Sequence, residues 1–261
     1  MSAASTNEQI QTDLRDGIFT ICFNRPEKKN ALNLAMYAAL VDSLGEADRD
    51  DAVRVVLLTG NGECFTSGND LADFMTAPPI SAESPVMQFL AAISRFRKPL
   101  VAAVIGSAVG VGVTMLLHCD LVYAGTGAVL QLPFVNLGLC PEAGSTLLFP
   151  RLMGHQRAAE LLLLGEPFSA EKACSVGIVN GVFPDVEVLA AARTKALQLA
   201  ARPAAAVRLA KALLKKEYAA SLEETIADEG AHFVKRLMSP EAGEALRAFM
   251  ERRQPDFSRF K

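Results

Sequence analysis

Apolar positions along this chain change their period several times, and each change marks an element. Two runs, Ile18-Phe19-Thr20-Ile21-Cys22-Phe23 and Val53 to Thr59, are short and almost wholly apolar, which predicts buried strands. Between them Met36, Leu40, Val41 and Leu44 fall on one helical face, and Asn33 stands where it can cap a helix running to about Asp48. Ala77 to Pro85, with Pro78, Pro79 and Pro85, reads as a mobile loop, and Val86 to Phe96 as an amphipathic helix. Leu100 to Ile105 is another strand, followed by a glycine-rich turn from Gly106 to Gly112 and a helix opening near Val111. Asp120 to Tyr123 and Val129 to Leu132 read as short strands, and Ala143 to Leu152 and Gln156 to Leu164 as helices. Ser169 caps a helix through Ser175, and Gly177-Ile178-Val179 returns to strand. From Val186 the pattern is helical, with Pro203 and Pro240 marking new starts, the latter behind Ser239. Strand and helix alternate up to about residue 184, so the pattern predicts an α/β fold on a parallel or mixed sheet with a helical C-terminal part.

The charge-free stretch Leu100 to Leu117 is long enough to raise a membrane span. Gly106, Gly110, Gly112, Ser107 and Thr114 interrupt it, and Arg95, Arg97, Lys98, His118 and Asp120 flank it, so a buried strand-turn-helix is expected. The 261 residues are 51% hydrophobic with a net charge of −3, which gives ample core and no basic surface for nucleic acid or an anionic membrane. Five scattered cysteines without Cys-x-x-Cys spacing, and three isolated histidines, read as reduced thiols without a zinc site. With a polar Met1 to Gln11 that lacks a signal-peptide core, the expected setting is cytoplasmic.

Two features carry chemistry. A helix starting near Val111 leaves N–H donors and a positive dipole end that suit an oxygen gaining negative charge. Glu142 is the one carboxylate in an otherwise uncharged run from Gln131 to Pro150. Together they point to proton abstraction beside a carbonyl. The competing reading is that Glu142 only opens a helix, where the dipole favours a carboxylate.

Several motifs in order resemble the crotonase family, the enoyl-CoA hydratase/isomerase superfamily. They are Asn24-Arg25-Pro26 with Asn30-Ala31-Leu32, Phe65-Thr66-Ser67-Gly68-Asn69-Asp70-Leu71, Lys98-Pro99-Leu100 with the glycine turn, Cys119-Asp120-Leu121, Phe168-Ser169-Ala170-Glu171-Lys172-Ala173 and Ala248-Phe249-Met250-Glu251-Arg252-Arg253. The resemblance implies an α/β, ClpP/crotonase-like fold of repeated ββα units, with a core over residues 1–195 and a helical trimerisation region over 196–261. It implies an acyl-CoA thioester as substrate, no separate cofactor or metal, no nucleic-acid or membrane partner, and a homotrimer or dimer of trimers. Asn69 and Val111 then correspond to the oxyanion-hole donors. Ser67, Gly68, Asn69, Asp70, Leu71, Gly110 and Phe134 correspond to substrate- and CoA-binding positions. The family's hydratases carry two glutamates where this chain has Thr114 and Phe134. Gln131 to Thr146 instead resembles the peroxisomal-type Δ3,Δ2-enoyl-CoA isomerases, which implies Glu142 as the single catalytic base. Apolar neighbours such as Phe134, Leu139 and Leu147 would strengthen that base. Another crotonase-type reaction, whether enoyl-CoA hydration or an isomerisation in aromatic degradation, and a silent acyl-CoA-binding protein stand as alternatives. Arg95, Arg97 and Lys98, or Lys28 and Lys29, are candidates for CoA phosphates or plain solvated charges. Leu222, Ile226, Phe233 and Leu237 share a helical face expected to pack between subunits.

Overall fold

The computed structural model describes residues 8–76, 81 and 83–260. Residues 77–80 and 82, within the segment expected to be a mobile loop, lie outside the described residues. β1 (Ile10–Arg15) and β2 (Ile18–Phe23) form an antiparallel hairpin. The apolar pattern does not mark β1, because only Ile10 and Leu14 in it are apolar. The signal that points to it is the Asp16-Gly17 turn, whose positive φ values of 55° and 76° suit a hairpin. The other strands are β3 (Val55–Gly60), β4 (Leu100–Val104), β5 (Ser107–Val109), β6 (Leu121–Gly125), β7 (Val129–Gln131), β8 (Phe168–Ser169) and β9 (Gly181–Phe183). One sheet has the order β1-β2-β3-β4-β6-β9 and is parallel from β2 onward; the other has the order β5-β7-β8.

The helices are α1 (Leu34–Arg49), α2 (Leu71–Thr76), α3 (Pro85–Arg95), α4 (Val111–Thr114), α5 (Ser145–Met153), α6 (His155–Ala159), α7 (Ala170–Ser175), α8 (Val188–Ala200), α9 (Ala204–Lys215), α10 (Ala219–Leu237) and α11 (Pro240–Met250). Asn33 caps α1 as expected, its side chain accepting from the Met36 N–H at 2.8 Å. The inner strands β3 and β4 of the larger sheet are buried on both faces, which is why they read as nearly continuous apolar runs. Val56, Leu58, Leu100 and Ala102 face the main core, while Val55, Leu57, Val101 and Ala103 meet Val188, Ala192 and Ala196 of α8. The expected boundary between residues 195 and 196 therefore falls inside a helix that packs on the sheet.

Four expectations change. The glycine-rich turn contains a strand, β5, and α4 is one turn that continues as a 3-10 helix over Met115–His118. The stretch Gly177–Val179 is not a strand: Ile178 and Val179 donate back to the Ala173 carbonyl, and pairing with β6 starts at Asn180. The helix expected over 156–164 changes to a π-helical turn at Glu160–Leu164. The apolar face of α10 is also used differently. Leu222, Ile226, Phe233 and Leu237 are buried within this chain, whereas Leu209, Leu213 and Leu214 of α9 are 59–78% exposed. No described helix is long and apolar enough to cross a membrane.

Candidate active site

Two loops meet at the site. Thr66 bridges to Ala108, the Val109 N–H donates to the Thr66 carbonyl at 3.1 Å, and the Thr66 hydroxyl accepts from the Gly68 N–H at 3.1 Å. Gly68 has φ +88°, and a Cβ there would lie 2.6 Å from the Val109 carbonyl oxygen, so only glycine allows this approach. Leu32 pairs with the residues on either side of Asn69, accepting from the Asp70 N–H and donating to the Gly68 carbonyl. Among the described residues neither the Asn69 N–H nor the Val111 N–H, at the first position of α4, has a protein acceptor. The two loops thus present unpaired donors from neighbouring segments. The Asn69 side chain is fixed separately, its Oδ1 accepting from the hydroxyl of the fully buried Tyr37.

A cleft of about 720 Å³ runs along these loops. Ser67, Gly68, Asn69, Asp70, Leu71, Gly110 and Phe134 all line it, and so do Lys28 and Lys29. Arg95, Arg97 and Lys98 do not belong to it. Arg95 pairs with Glu223 and Arg97 with Asp48, while the buried Lys98 ammonium donates to the Ala47 and Asp50 carbonyls behind α1. Asp70 is engaged as well: Arg25 donates to it at 2.7 Å and the Ala72 N–H at 3.1 Å. Burial opposes its charge, but the Arg25 bond prevails and holds the carboxyl below the usual aspartate range.

Glu142 is 4% exposed and sits in a chamber of about 10 Å³ walled by Val86, Leu90 and Phe233. Phe134 and Leu139 line the outer cleft, and Asn69 and Phe233 border both spaces. Burial pushes the Glu142 carboxyl up to about 7, opposed by a 2.8 Å hydrogen bond from the Thr114 hydroxyl and reinforced by the charge of Glu229. Backbone geometry aims the side chain. Ala143 and Gly144, the next two residues, have φ values of 64° and 74°. A positive φ costs a residue with a Cβ about 1 kcal/mol or more, so Ala143 must be held from outside. His118 holds it: burial pushes its imidazole down to about 3, and the neutral ring donates from Nε2 to the Ala143 carbonyl at 2.8 Å.

The cleft thus collects Ser67, Gly68, Asn69, Asp70, Leu71, Gly110 and Phe134, with Glu142 in the adjoining chamber and Val111 buried at the start of α4, while Arg95, Arg97 and Lys98 lie elsewhere. Tyr37 and Val86 look like ordinary core residues of amphipathic helices, and Phe233 is marked in the sequence only as part of the apolar face of α10; nothing in their spacing points to the site. Thr114 stands out only as a departure from the hydratase pattern, not as the hydrogen-bond partner of Glu142.

Residues 13–259 match the family described as enoyl-CoA hydratase/isomerase. The chain belongs to this family. A solved structure of Pseudomonas aeruginosa OdaA is 49% identical, superposes with a TM-score of 0.92 and covers 94% of this chain and 99% of its own. The fold is accordingly the crotonase fold. Human enoyl-CoA delta isomerase 2 is 36% identical over 253 residues, which are 94% of this chain. The chain spans 64% of that relative's length. The 2,3-dehydroadipyl-CoA hydratase of Escherichia coli K12 is 34% identical over 243 residues, 92% of this chain and 94% of its own. Hydratases and isomerases both occur among these members of the enoyl-CoA hydratase/isomerase family, so the reaction has to be read from the site.

Proposed function

We propose that the protein is a Δ3,Δ2-enoyl-CoA isomerase in which Glu142 carries a proton from C2 to C4 of a 3-enoyl-CoA. The observation that carries the reading is Glu142: a carboxylate made more basic by burial, in a chamber that adjoins unpaired N–H donors. Thr114 engages Oε1 and leaves Oε2 for the substrate. Oε2 takes the C2 proton, and the C–H electron pair moves into a C1–C2 double bond while negative charge gathers on the thioester oxygen. The C3–C4 double bond then accepts the proton at C4 from the same carboxyl, the C2–C3 double bond forms, and the oxygen loses its charge. A thioester α-proton is only weakly acidic, so the intermediate must be stabilised. The Asn69 and Val111 N–H groups supply about 3 kcal/mol each if they behave as typical oxyanion donors. A base near neutrality matches the working pH of such a transfer.

Thr114 and Phe134 stand where the family's hydratases have glutamates, and neither can activate water. Proton transfer changes no oxidation state, so the reading needs no redox or metal cofactor. The CoA part lies in the cleft past Ser67 to Leu71, with Lys28 and Lys29 at hand for its phosphates. The acyl tail enters the narrow chamber by displacing side chains. Met87, an unbranched and adaptable residue shared between the chamber and a groove between α3 and α10, yields first. The exposed leucines of α9 are the face for a trimer or a dimer of trimers, and the cytoplasm is the setting. Purified protein assayed on 3-enoyl-CoA and 2-enoyl-CoA substrates of several chain lengths tests the reading. Isomerisation should dominate; hydration of comparable rate would refute it.

A further inference from the structure

A second buried carboxylate stands behind the first. Glu229, 6% exposed on α10, reaches the start of α5. The N-cap of α5 is Gly144, which has no side chain to satisfy the helix's first N–H groups. Glu229 does so from outside. Its Oε2 accepts from the Gly144 N–H at 2.6 Å, and its Oε1 from the Thr146 N–H at 2.9 Å and the Thr146 hydroxyl at 2.6 Å. Burial pushes the Glu229 carboxyl up, and these three donors at a helix N-terminus oppose that shift and favour its ionised form. Glu142 lies two residues before Gly144, across the strained Ala143. The turn is thus pinned on one side by His118 and on the other by Glu229. Glu229 touches neither the cleft nor the chamber.

We propose that Glu229 is a positioning residue, which clamps from α10 the turn that carries Glu142 and keeps a second negative charge beside it. This rests on the isomerase reading for its effect on turnover, but not for its effect on the Glu142 carboxyl. Around Glu142 the facing groups are Tyr37 from α1, Thr114 from α4, Cys140 on its own loop and Glu229 from α10. Asp228 lies beside Glu229, Arg236 acts on Cys140, and Lys211 and Lys215 act on His118 behind Ala143. Burial raises Tyr37 well above its usual range and pushes Cys140 up to about 11, so both keep their protons near neutrality. His118, pushed down to about 3, has already lost its own. Removing the Glu229 charge must therefore make Glu142 easier to ionise.

The test uses wild type, Glu229→Gln, Glu229→Asp and Thr146→Val. Turnover of 3-hexenoyl-CoA is followed from pH 5 to 9, and the Glu142 carboxyl is titrated by carbon-13 NMR in the unliganded protein. Glu229→Gln should lower kcat on the order of ten- to a hundredfold with KM within about twofold. It should also move the Glu142 midpoint down by about half a pH unit or more. Glu229→Asp keeps the charge and loses the reach, so kcat falls while the midpoint stays. If Glu229→Gln does not fold, Thr146→Val decides: a loss in kcat at constant KM supports the clamp, and an unchanged kcat overturns it. An unmoved midpoint in Glu229→Gln overturns the electrostatic role whatever happens to turnover. Wild type inactive on 3-enoyl-CoA sinks the isomerase reading, while the NMR titration still judges Glu229.

Discussion

Glu142→Gln should stabilise the fold, and the gain should depend on pH. Burial raises the folded carboxyl from 4.5 to about 7. Between those values the folded state binds a proton that the unfolded chain has released. Stability therefore falls as pH rises through this window, because ionising Glu142 in its chamber is unfavourable. A displacement of this size corresponds to roughly 3 kcal/mol of stability, fully present below about pH 4 and lost by about pH 8. Glutamine keeps the Thr114 hydrogen bond and cannot ionise, so the variant lacks that loss. Urea unfolding of both proteins at pH 4.5 and pH 8, at one fixed protein concentration so that assembly does not confound the comparison, measures the difference. The gap in favour of Glu142→Gln should widen by about 2–3 kcal/mol between the two pH values. An equal gap at both would mean that Glu142 is not a buried, destabilised carboxylate, and the argument for its basicity would fail.

Gly68→Ala sets a Cβ against the Val109 carbonyl at a positive φ, so the two donor loops must part; turnover should drop about a hundredfold or more while circular dichroism stays native. Thr114→Val removes the hydrogen bond that opposes the burial of Glu142, so the acidic limb of the kcat/KM profile should move to higher pH; an unmoved limb would take Thr114 out of the account. Leu213→Lys places a charge on the exposed face of α9 and should shift light scattering towards the protomer without unfolding it.

Much of the fold is visible in the sequence because the parallel sheet is buried on both sides, and uninterrupted apolar runs such as Leu100 to Val104 mark it. β1 and β5 are hidden for opposite reasons. β1 alternates weakly beside solvent, and β5 has only three residues between glycines that read as a turn. Glu142 is legible because a lone carboxylate in an uncharged run is conspicuous. Its surroundings are not. Leu90 comes from α3 and Phe233 from α10, and only the tertiary fold brings them across the chain to close the chamber. The same distance explains the misassigned face of α10. A helix's apolar stripe shows that something covers it, not whether the cover is its own chain, and here α10 packs on α3 and α5.

In the proposed reaction one carboxylate moves the proton. Wild type and Glu142→Gln, incubated with a 3-enoyl-CoA in deuterium oxide, can be followed for both isomerisation and deuterium uptake at C2, with acyl-CoA affinity measured by calorimetry on the same preparations. General acid–base participation is worth about 10²–10⁴ in rate, and no second carboxylate among the described residues lines the chamber, so the loss should approach the upper end. Isomerisation and exchange should vanish together in Glu142→Gln while affinity changes little. Turnover by Glu142→Gln within about threefold of wild type would contradict the single-carboxylate reaction.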